Sequence, residues 1–173
     1  QRLRMWLLRV GDAVERWPAV LFAAVLLVLA FLPSTGDGNI LRALLLYAFF
    51  IGDWISMCAL PKTGRAFGPA KPQALALAVL RLPFAFLPVS RPAMAAIQSI
   101  GTLLHIYGFW IEPQRLMLTR QTYHSPKLPA GRALRLLHIS DLHVERLTNR
   151  ERRLLSMVRA AEADIIVLTG DYL

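Results

Sequence analysis

The chain has 173 residues, a hydrophobic fraction of 55% and a formal net charge of +9. This hydrophobic fraction and the mean hydropathy of +0.45 exceed what a soluble domain usually has, and the excess lies in residues 17–111. The single cysteine, Cys58, excludes an internal disulfide and a metal cluster built on several thiolates.

Apolar segments follow one another through the first two thirds of the chain. They predict four membrane-spanning helices, over residues 17–32, 40–60, 73–89 and 93–111. A span needs about 17–25 largely apolar residues, so the first is slightly short, although Trp17 can anchor it at the interface. The third is the least apolar because it carries Arg81 and two prolines. A cleaved signal peptide fits poorly, because four such segments occur in succession.

The basic residues alternate along the chain in the way that orients membrane proteins. They are plentiful before the first segment, absent from residues 33–39, plentiful in 61–72, sparse near Ser90 and plentiful after 111. The positive-inside rule then predicts four spans with both ends in the cytoplasm. If the third segment is re-entrant instead, the C-terminal part lies outside. This distribution also accounts for the net charge, so we expect no nucleic-acid partner.

Two ionisable residues lie deep in the predicted spans. Asp53 and Arg81 are both roughly 10–14 Å from the cytoplasmic ends of their helices, at about 1.5 Å per residue. Matching depth and opposite charge predict an ion pair between the second and third spans. Such a pair belongs either to a transport path or to a link between helices, and one acid with one base favours the link. We expect His105 to contact a neighbouring helix, and Arg42 to extend from a helix end towards water.

Beyond residue 111 the sequence is typical of a soluble α/β protein. Glu112-Pro113 predicts the end of the last span. The pattern then predicts a strand over 116–123, a loop over 124–131, a strand over 135–140, a helix from Thr148 or Asn149 to about 163, and a strand over 165–169. This β–β–α–β order contains a right-handed crossover, which makes the last two strands parallel.

Both parallel strands stop at a carboxylate. Asp141 follows the first, with His143 two residues later, and Asp171 follows the second after Gly170. Ligands bind outside the carboxyl ends of parallel strands, so two neighbouring strands would bring the two carboxylates together. Gly170 would allow the backbone to turn tightly there.

The segments Ser140-Asp-Leu-His143 and Leu168-Thr-Gly-Asp171 resemble the opening of the calcineurin-like metallophosphoesterases, in particular their membrane-anchored bacterial members. The resemblance implies two divalent metal ions, Mn, Fe or Zn. It implies Asp141 and His143 as ligands of the first ion and Asp171 as the carboxylate that bridges both. It also implies a phosphate-ester substrate, contact with membrane lipid and residence in the inner membrane of a bacterium, with the catalytic domain on the cytoplasmic side.

This chain departs from the family pattern at two points. Glu145 stands where many members have glycine. The later Asn-His and histidine motifs, which complete the second metal site and supply the general acid, are absent and are expected beyond Leu173. Neither His124 nor His138 can be assigned to those places, and His138 is expected in the core or behind a ligand. We therefore expect a piece of a longer protein that is inactive by itself.

The predicted organisation is an all-α anchor of about four transmembrane helices over residues 1–111, followed by the first β–β–α–β part of an α/β metallophosphoesterase domain over 112–173. The function expected of the parent protein is hydrolysis of phosphomonoesters or phosphodiesters, including lipid- or nucleotide-linked ones. The alternative is a membrane transporter or sensor with a regulatory or degenerate metallophosphoesterase-like domain, which the Asp53–Arg81 pair motivates.

Overall fold

A computed structural model describes residues 2–34, 39–65, 68–129, 131–140, 142, 144 and 147–170. The chain forms two compact units, residues 1–63 with 67–112 and residues 64–66 with 113–173. The first unit is helical, and the second contains one helix and a two-stranded parallel sheet in its described part.

Within the described residues, the first unit contains five α-helices. These are α1 (Arg2–Glu15), α2 (Ala19–Phe31), α3 (Ile40–Ala59), α4 (Ala70–Ala85) and α5 (Arg91–Ile106). The α5 path continues through a π-helical turn, Tyr107–Ile111, and a 3-10 turn, Glu112–Gln114. The helical path therefore ends at Gln114, one residue beyond the end predicted at Glu112-Pro113. Proline is tolerated in the first turn of a helical segment, because its missing N–H has no partner to lose there.

Among the described residues, two helical segments, Ile40–Thr63 and Arg91–Gln114, are long and apolar enough to cross a membrane. A third is possible if Leu8–Glu15 and Ala19–Ser34, whose axes differ by 113°, form one broken span. Helix α4 has 16 residues, or about 24 Å, which is shorter than a hydrocarbon core of about 30 Å. The expectation of about four spans thus stays a prediction, and the two long helices are compatible with membrane association.

Helices α3, α4 and α5 each bury one stripe of residues at helical spacing. The buried residues are Ala43, Leu46, Phe50, Asp53 and Met57 on α3; Ala74, Ala78, Arg81 and Ala85 on α4; and Met94, Gln98 and His105 on α5. Residues three or four positions apart share a helix face, so each stripe forms one contact surface. The polar members of the stripes therefore face other helices, where they need partners.

Arg42 closes the end of α4. Its guanidinium donates to the carbonyl oxygens of Ala85 at 2.8 Å and of Val89 at 3.3 Å. The last carbonyls of a helix have no partner within the helix, and a cation near them also interacts well with the helix dipole. Arg42 thus links α3 to the end of α4.

The second unit contains β1 (Leu136–Ser140), α6 (Asn149–Ala160) and β2 (Ile165–Thr169). The strands pair in parallel, with Leu136 opposite Ile165 and Ser140 opposite Thr169. These two predicted strands, their parallel pairing and the helix between them are confirmed.

The predicted strand over 116–123 is wrong, since these residues form neither strand nor helix. The observed order in the described residues is therefore β–α–β. Met117 and Tyr123 are exposed on this segment. Alternating Thr and Tyr residues favour a strand, but a strand forms only where a neighbour pairs with it, and propensity alone is a weak signal.

Candidate functional site

The predicted metal ligands directly follow two paired strand ends. Ser140 and Thr169 are Cα partners in the sheet, and Asp141 and Asp171 follow them by one and two positions. Asp141, His143 and Asp171 lie outside the described residues, as does Glu145. Gly170 has a φ of +90°, so the backbone turns directly before Asp171, as the sequence predicts.

His138 lies on an exposed face of the sheet and is not a core residue in the described part of this unit. Its Nε2 is 2.5 Å from the Thr169 hydroxyl on the neighbouring strand. This bond joins the two strands near the ends from which the predicted ligands emerge, which agrees with a role behind the ligands. His124 is exposed in the segment before β1.

The first residues of α6 bond to one another and to the backbone of Leu142, which lies beyond the end of β1. Thr148 caps α6, and the side chain of Glu151 accepts from the backbone N–H of Thr148 at 2.8 Å in a capping box. Glu151 Oε2 also accepts from the Thr148 hydroxyl. Arg150 donates from Nε to Glu151 at 2.6 Å and from Nη2 to the carbonyl oxygen of Leu142 at 2.6 Å. Leu142 stands between Asp141 and His143 in the sequence, so Arg150 fixes the backbone between two predicted ligands.

Glu151 is an ionised carboxylate in a nearly closed environment, with 6% of its surface exposed. Burial raises the pKa of this group, but the hydrogen bonds from Thr148 and Arg150 outweigh burial and lower the pKa to about 2. The charged form is therefore part of the folded structure at neutral pH.

The predicted ion pair between Asp53 and Arg81 is confirmed. Arg81 donates from Nε to Asp53 Oδ2 at 2.7 Å and from Nη2 to Oδ1 at 2.9 Å, and both residues are buried. Two parallel N–H···O bonds are the strongest geometry for such a pair.

The remaining donors of Arg81 bind α5. Nη1 donates to the backbone oxygen of Gln98 at 2.6 Å and to its side-chain oxygen at 3.2 Å, and Nη2 donates to Thr102 Oγ1 at 2.9 Å. A guanidinium has five N–H groups, so each of them has a partner here. The local sequence gives no sign of Gln98 or Thr102 as partners, although Gln98 shares the buried stripe of α5 with His105.

His105 extends the network to the end of α5. Its Nδ1 is 2.8 Å from Asp53 Oδ1, and its Nε2 is 3.3 Å from Ser56 Oγ. Trp110 Nε1 donates to Ser56 Oγ at 2.8 Å. The Asp53 carboxylate can only accept, so Nδ1–H of His105 donates to it, and Nε2 shares a hydrogen bond with the Ser56 hydroxyl. The expected helix contact of His105 is thus with α3.

Asp53, His105 and Ser56 are hydrogen-bonded in the same sequence as the acid, base and nucleophile of a catalytic triad. An acyl-transfer site also needs free backbone N–H groups for the developing oxyanion. Ser56 lies within α3, where backbone N–H groups bond to carbonyls of the preceding turn. The Asp53 carboxylate is also held by Arg81. This arrangement supports a link between helices rather than a nucleophile.

Gly101 lets α5 approach the guanidinium. A Cβ at this position would lie 2.6 Å from Arg81 Nη1 and 3.3 Å from its Cζ. The end of an arginine side chain usually moves easily, but here all five of its N–H groups are bonded. The absence of a side chain at 101 is therefore a requirement of the network.

No metal-binding group of three or more His, Cys, Asp and Glu side chains occurs among the residues that the structure describes. The donor set predicted from the sequence, two carboxylates and an imidazole, has the chemistry of a site for Mn, Fe or Zn.

Comparison with known proteins gives one short similarity. The chain is 44% identical over 46 residues to the "Uncharacterized metallophosphoesterase YkoQ" of Bacillus subtilis (strain 168). The match covers 27% of this chain and 17% of that protein. No family model matches the chain, and no solved structure matches it. The similarity supports a relation to metallophosphoesterases over part of the chain.

We predict that Gly101→Ala destabilises the helical unit. The added Cβ displaces Nη1 of Arg81 and breaks its bonds to Gln98, at a cost of about 1.5–3 kcal/mol for each bond to a charged group. Thermal unfolding in detergent, followed by tryptophan fluorescence, measures the change.

Gly52→Ala is the matched control, because a Cβ on this α3 residue would meet nothing within 4 Å. Alanine is the better helix former by about 1 kcal/mol, so this variant should unfold at the same temperature or a higher one. Equal losses for the two variants would contradict the role given to Gly101.

We predict that α6 loses stability in acid through Glu151. A carboxyl whose pKa falls from 4.5 to about 2 on folding stabilises the fold fully above pH 4.5, and this contribution disappears as the pH falls towards 2. Hydrogen exchange of residues 149–160 in the whole chain, corrected for intrinsic rates, should show opening that is easier at pH 3 than at pH 6.

Glu151→Gln keeps a capping-box side chain but cannot titrate, so it should remove most of this pH dependence. Glu162→Gln, at an exposed position, should retain it. An unchanged pH dependence in Glu151→Gln would show that another group is responsible.

Proposed function

We propose that the chain belongs to a membrane-anchored, two-metal phosphoesterase that hydrolyses phosphomonoesters or phosphodiesters. The observation that carries the proposal is the parallel β1–α6–β2 arrangement, whose paired ends Ser140 and Thr169 precede Asp141 by one position and Asp171 by two. The partial similarity to a metallophosphoesterase supports the same function.

In this proposal Asp141 and His143 would be ligands of one metal ion, and Asp171 would be a ligand shared with a second. Divalent ions at such a site polarise phosphoryl oxygens and generate a nucleophile from water at neutral pH. The protein's part is to hold the carboxylates and the imidazole in one place. The Gly170 turn, the His138–Thr169 bond and the Arg150–Leu142 bond act on the backbone that carries these ligands. The chain spans 17% of the relative that it matches, and we expect the remaining ligands and the general acid from other parts of the parent protein.

The helical unit serves in this proposal as the anchor, with α2 to α5 crossing the membrane and the phosphoesterase domain on the cytoplasmic side. The distribution of basic residues supports this orientation. Arg81 would be costly in lipid, but its complete set of partners supports its placement inside a helix bundle. An anchored site would meet substrates at the bilayer surface, which suggests lipid-linked phosphates as the substrate class.

The alternative, a transporter or sensor with a degenerate soluble domain, depends on a functional role for Asp53 and Arg81. A mobile ion or proton needs a site that exchanges partners during transport. Here the donors of Arg81 are all bonded, and the acid and base neutralise each other. This complete pairing favours a structural link and therefore the enzyme.

We predict that Asp171→Asn in the parent protein lowers metal-dependent hydrolysis of bis-p-nitrophenyl phosphate by at least about 100-fold. Substitution of residues that only hydrogen-bond to metal ligands lowers metal affinity or activity by about 10–100-fold, and loss of a bridging carboxylate should lower activity further. Rates measured with added Mn test this expectation.

Asp164→Asn is the matched control for Asp171→Asn. Asp164 is also beside β2, but its carboxylate accepts from the backbone N–H of Arg135 at the opposite end of the strand. This variant should retain the rate. Equal activity of Asp171→Asn and the unchanged protein would refute the role given to Asp171, and wild-type protein that binds Mn without hydrolysis would support the degenerate domain.

We predict that Arg150→Ala weakens metal binding and hydrolysis by about 10–100-fold, because it releases the backbone between Asp141 and His143. Metal affinity measured by calorimetry separates this effect from general destabilisation, and hydrogen exchange of α6 reports whether the helix still forms. Arg153→Ala, an exposed position on the same helix, should leave metal affinity unchanged. Arg150→Ala with unaltered metal affinity would remove Arg150 from the site.

A further inference from the structure

One face of α1 carries an apolar stripe that extends beyond the part of the helix packed against the bundle. Val14, Val10 and Trp6 are spaced four residues apart and therefore lie on one face of the helix. Their exposed fractions rise along the stripe, from 5% at Val14 through 39% at Val10 to 59% at Trp6. Among the residues that the structure describes, protein covers only the end of the stripe nearest α2.

The covered end of α1 is firmly attached. Lys71 donates from its backbone nitrogen to Glu15 Oε2 at 2.9 Å, and from Nζ to the carbonyl oxygens of Glu15 at 2.6 Å and Trp17 at 2.9 Å. Val14 belongs to the hydrophobic core of the unit. The direction of α1 relative to α2 and α4 is therefore set by specific bonds.

This attachment sets α1 across the bundle. The axes of Leu8–Glu15 and Ala19–Ser34 differ by 113°, so α1 is within about 25° of perpendicular to α2. If α2 crosses a bilayer, α1 then extends along its surface. Helices in this position bury one apolar face about 5–10 Å into the boundary between headgroups and acyl chains.

The side chains around the stripe match such a boundary. Asp12 is exposed on the opposite side of α1, Arg9 is exposed on the flank of the helix, and Arg16 is exposed just beyond its last residue, where these side chains would meet water and headgroups. Tryptophan is enriched at membrane–water interfaces because its ring is apolar and its N–H is polar. Trp6 lies at the end of the stripe that the bundle does not cover.

We propose that α1 is an interfacial helix, and that its face formed by Trp6 and Val10 binds the lipid surface of the same bilayer that α2 crosses. Its occupant is phospholipid, and Arg9 and Arg16 contribute contacts to phosphate groups. The helix would fix the depth and tilt of the bundle, because Lys71 joins it rigidly to the beginning of α4. This inference rests on the membrane anchoring proposed above, in which α2 crosses the bilayer, and not on the phosphoesterase activity.

Spin labels on the parent protein in lipid vesicles test the proposal. In a Cys58→Ser background, labels at Trp6→Cys and Val10→Cys probe the apolar face, and a label at Asp12→Cys is the matched control on the polar face. Collision with oxygen, which concentrates in lipid, and with a water-soluble nickel complex gives the depth of each label. Vesicles of phosphatidylcholine alone and with phosphatidylglycerol separate the apolar contribution from the charge contribution.

We expect labels at 6 and 10 to lie about 5–10 Å below the phosphates in both kinds of vesicle, and the label at 12 to be accessible to nickel. Equal nickel access at all three positions would overturn the proposal. Labels at 6 and 10 that are shielded from both reagents would also overturn it, since protein would then cover the face. Distance measurements between labels on two copies would identify a second copy as that cover.

Discussion

A charge that leaves water must find partners for its whole hydrogen-bonding capacity, and this constraint organises both units of the chain. In the helical unit the Arg81 guanidinium donates hydrogen bonds to Asp53, Gln98 and Thr102. At the beginning of α6 the Glu151 carboxylate accepts hydrogen bonds from Thr148 and Arg150. Breaking such an arrangement by removing one partner is costly, because the other charge remains buried and unpaired. The positions of α3, α4 and α5 therefore depend on one guanidinium, and the beginning of α6 depends on one carboxylate.

The same constraint links structure to the proposed chemistry. Two carboxylates at neighbouring strand ends repel each other unless cations lie between them. A bridged pair of divalent ions satisfies this need and supplies the electrophile that phosphate-ester hydrolysis requires. In the helical unit the charges neutralise each other within the protein, so they call for no ligand. This contrast is why we propose a site at the strand ends and an anchoring role for the helices.

Features that depend on local pattern were predictable from the sequence. The apolar runs before Asp141 and Asp171 and the capping residue Thr148 predict β1, β2 and α6, because short apolar runs and helix capping leave signals in neighbouring residues. Matching depth was enough to predict the Asp53–Arg81 pair. The strand over 116–123 was predicted wrongly. Its sequence alternates as a strand would, but no described strand pairs with it.

Features that depend on contacts between distant segments were not predictable. The sequence gives no sign that Gly101 lies against Arg81, or that Arg150 reaches back to Leu142. The attachment of α1 through Lys71 was also missed, because its bonds join residues 56 positions apart. The spacing of Met94, Gln98, Gly101 and His105 was the available signal for the network, since three or four residues separate each from the next. The predicted ligands Asp141, His143 and Asp171 lie outside the described residues, and their roles stay predictions.

The central claim is that Asp141 and Asp171 share metal ions at the ends of β1 and β2. Anomalous X-ray scattering from crystals of the parent protein grown with Mn tests it most directly. We expect two Mn peaks about 3.5–4 Å apart, with a carboxylate oxygen of Asp171 bound to both and with Asp141 and His143 bound to one of them. Carboxylates that point away from each other, with no Mn peak between them, would contradict it.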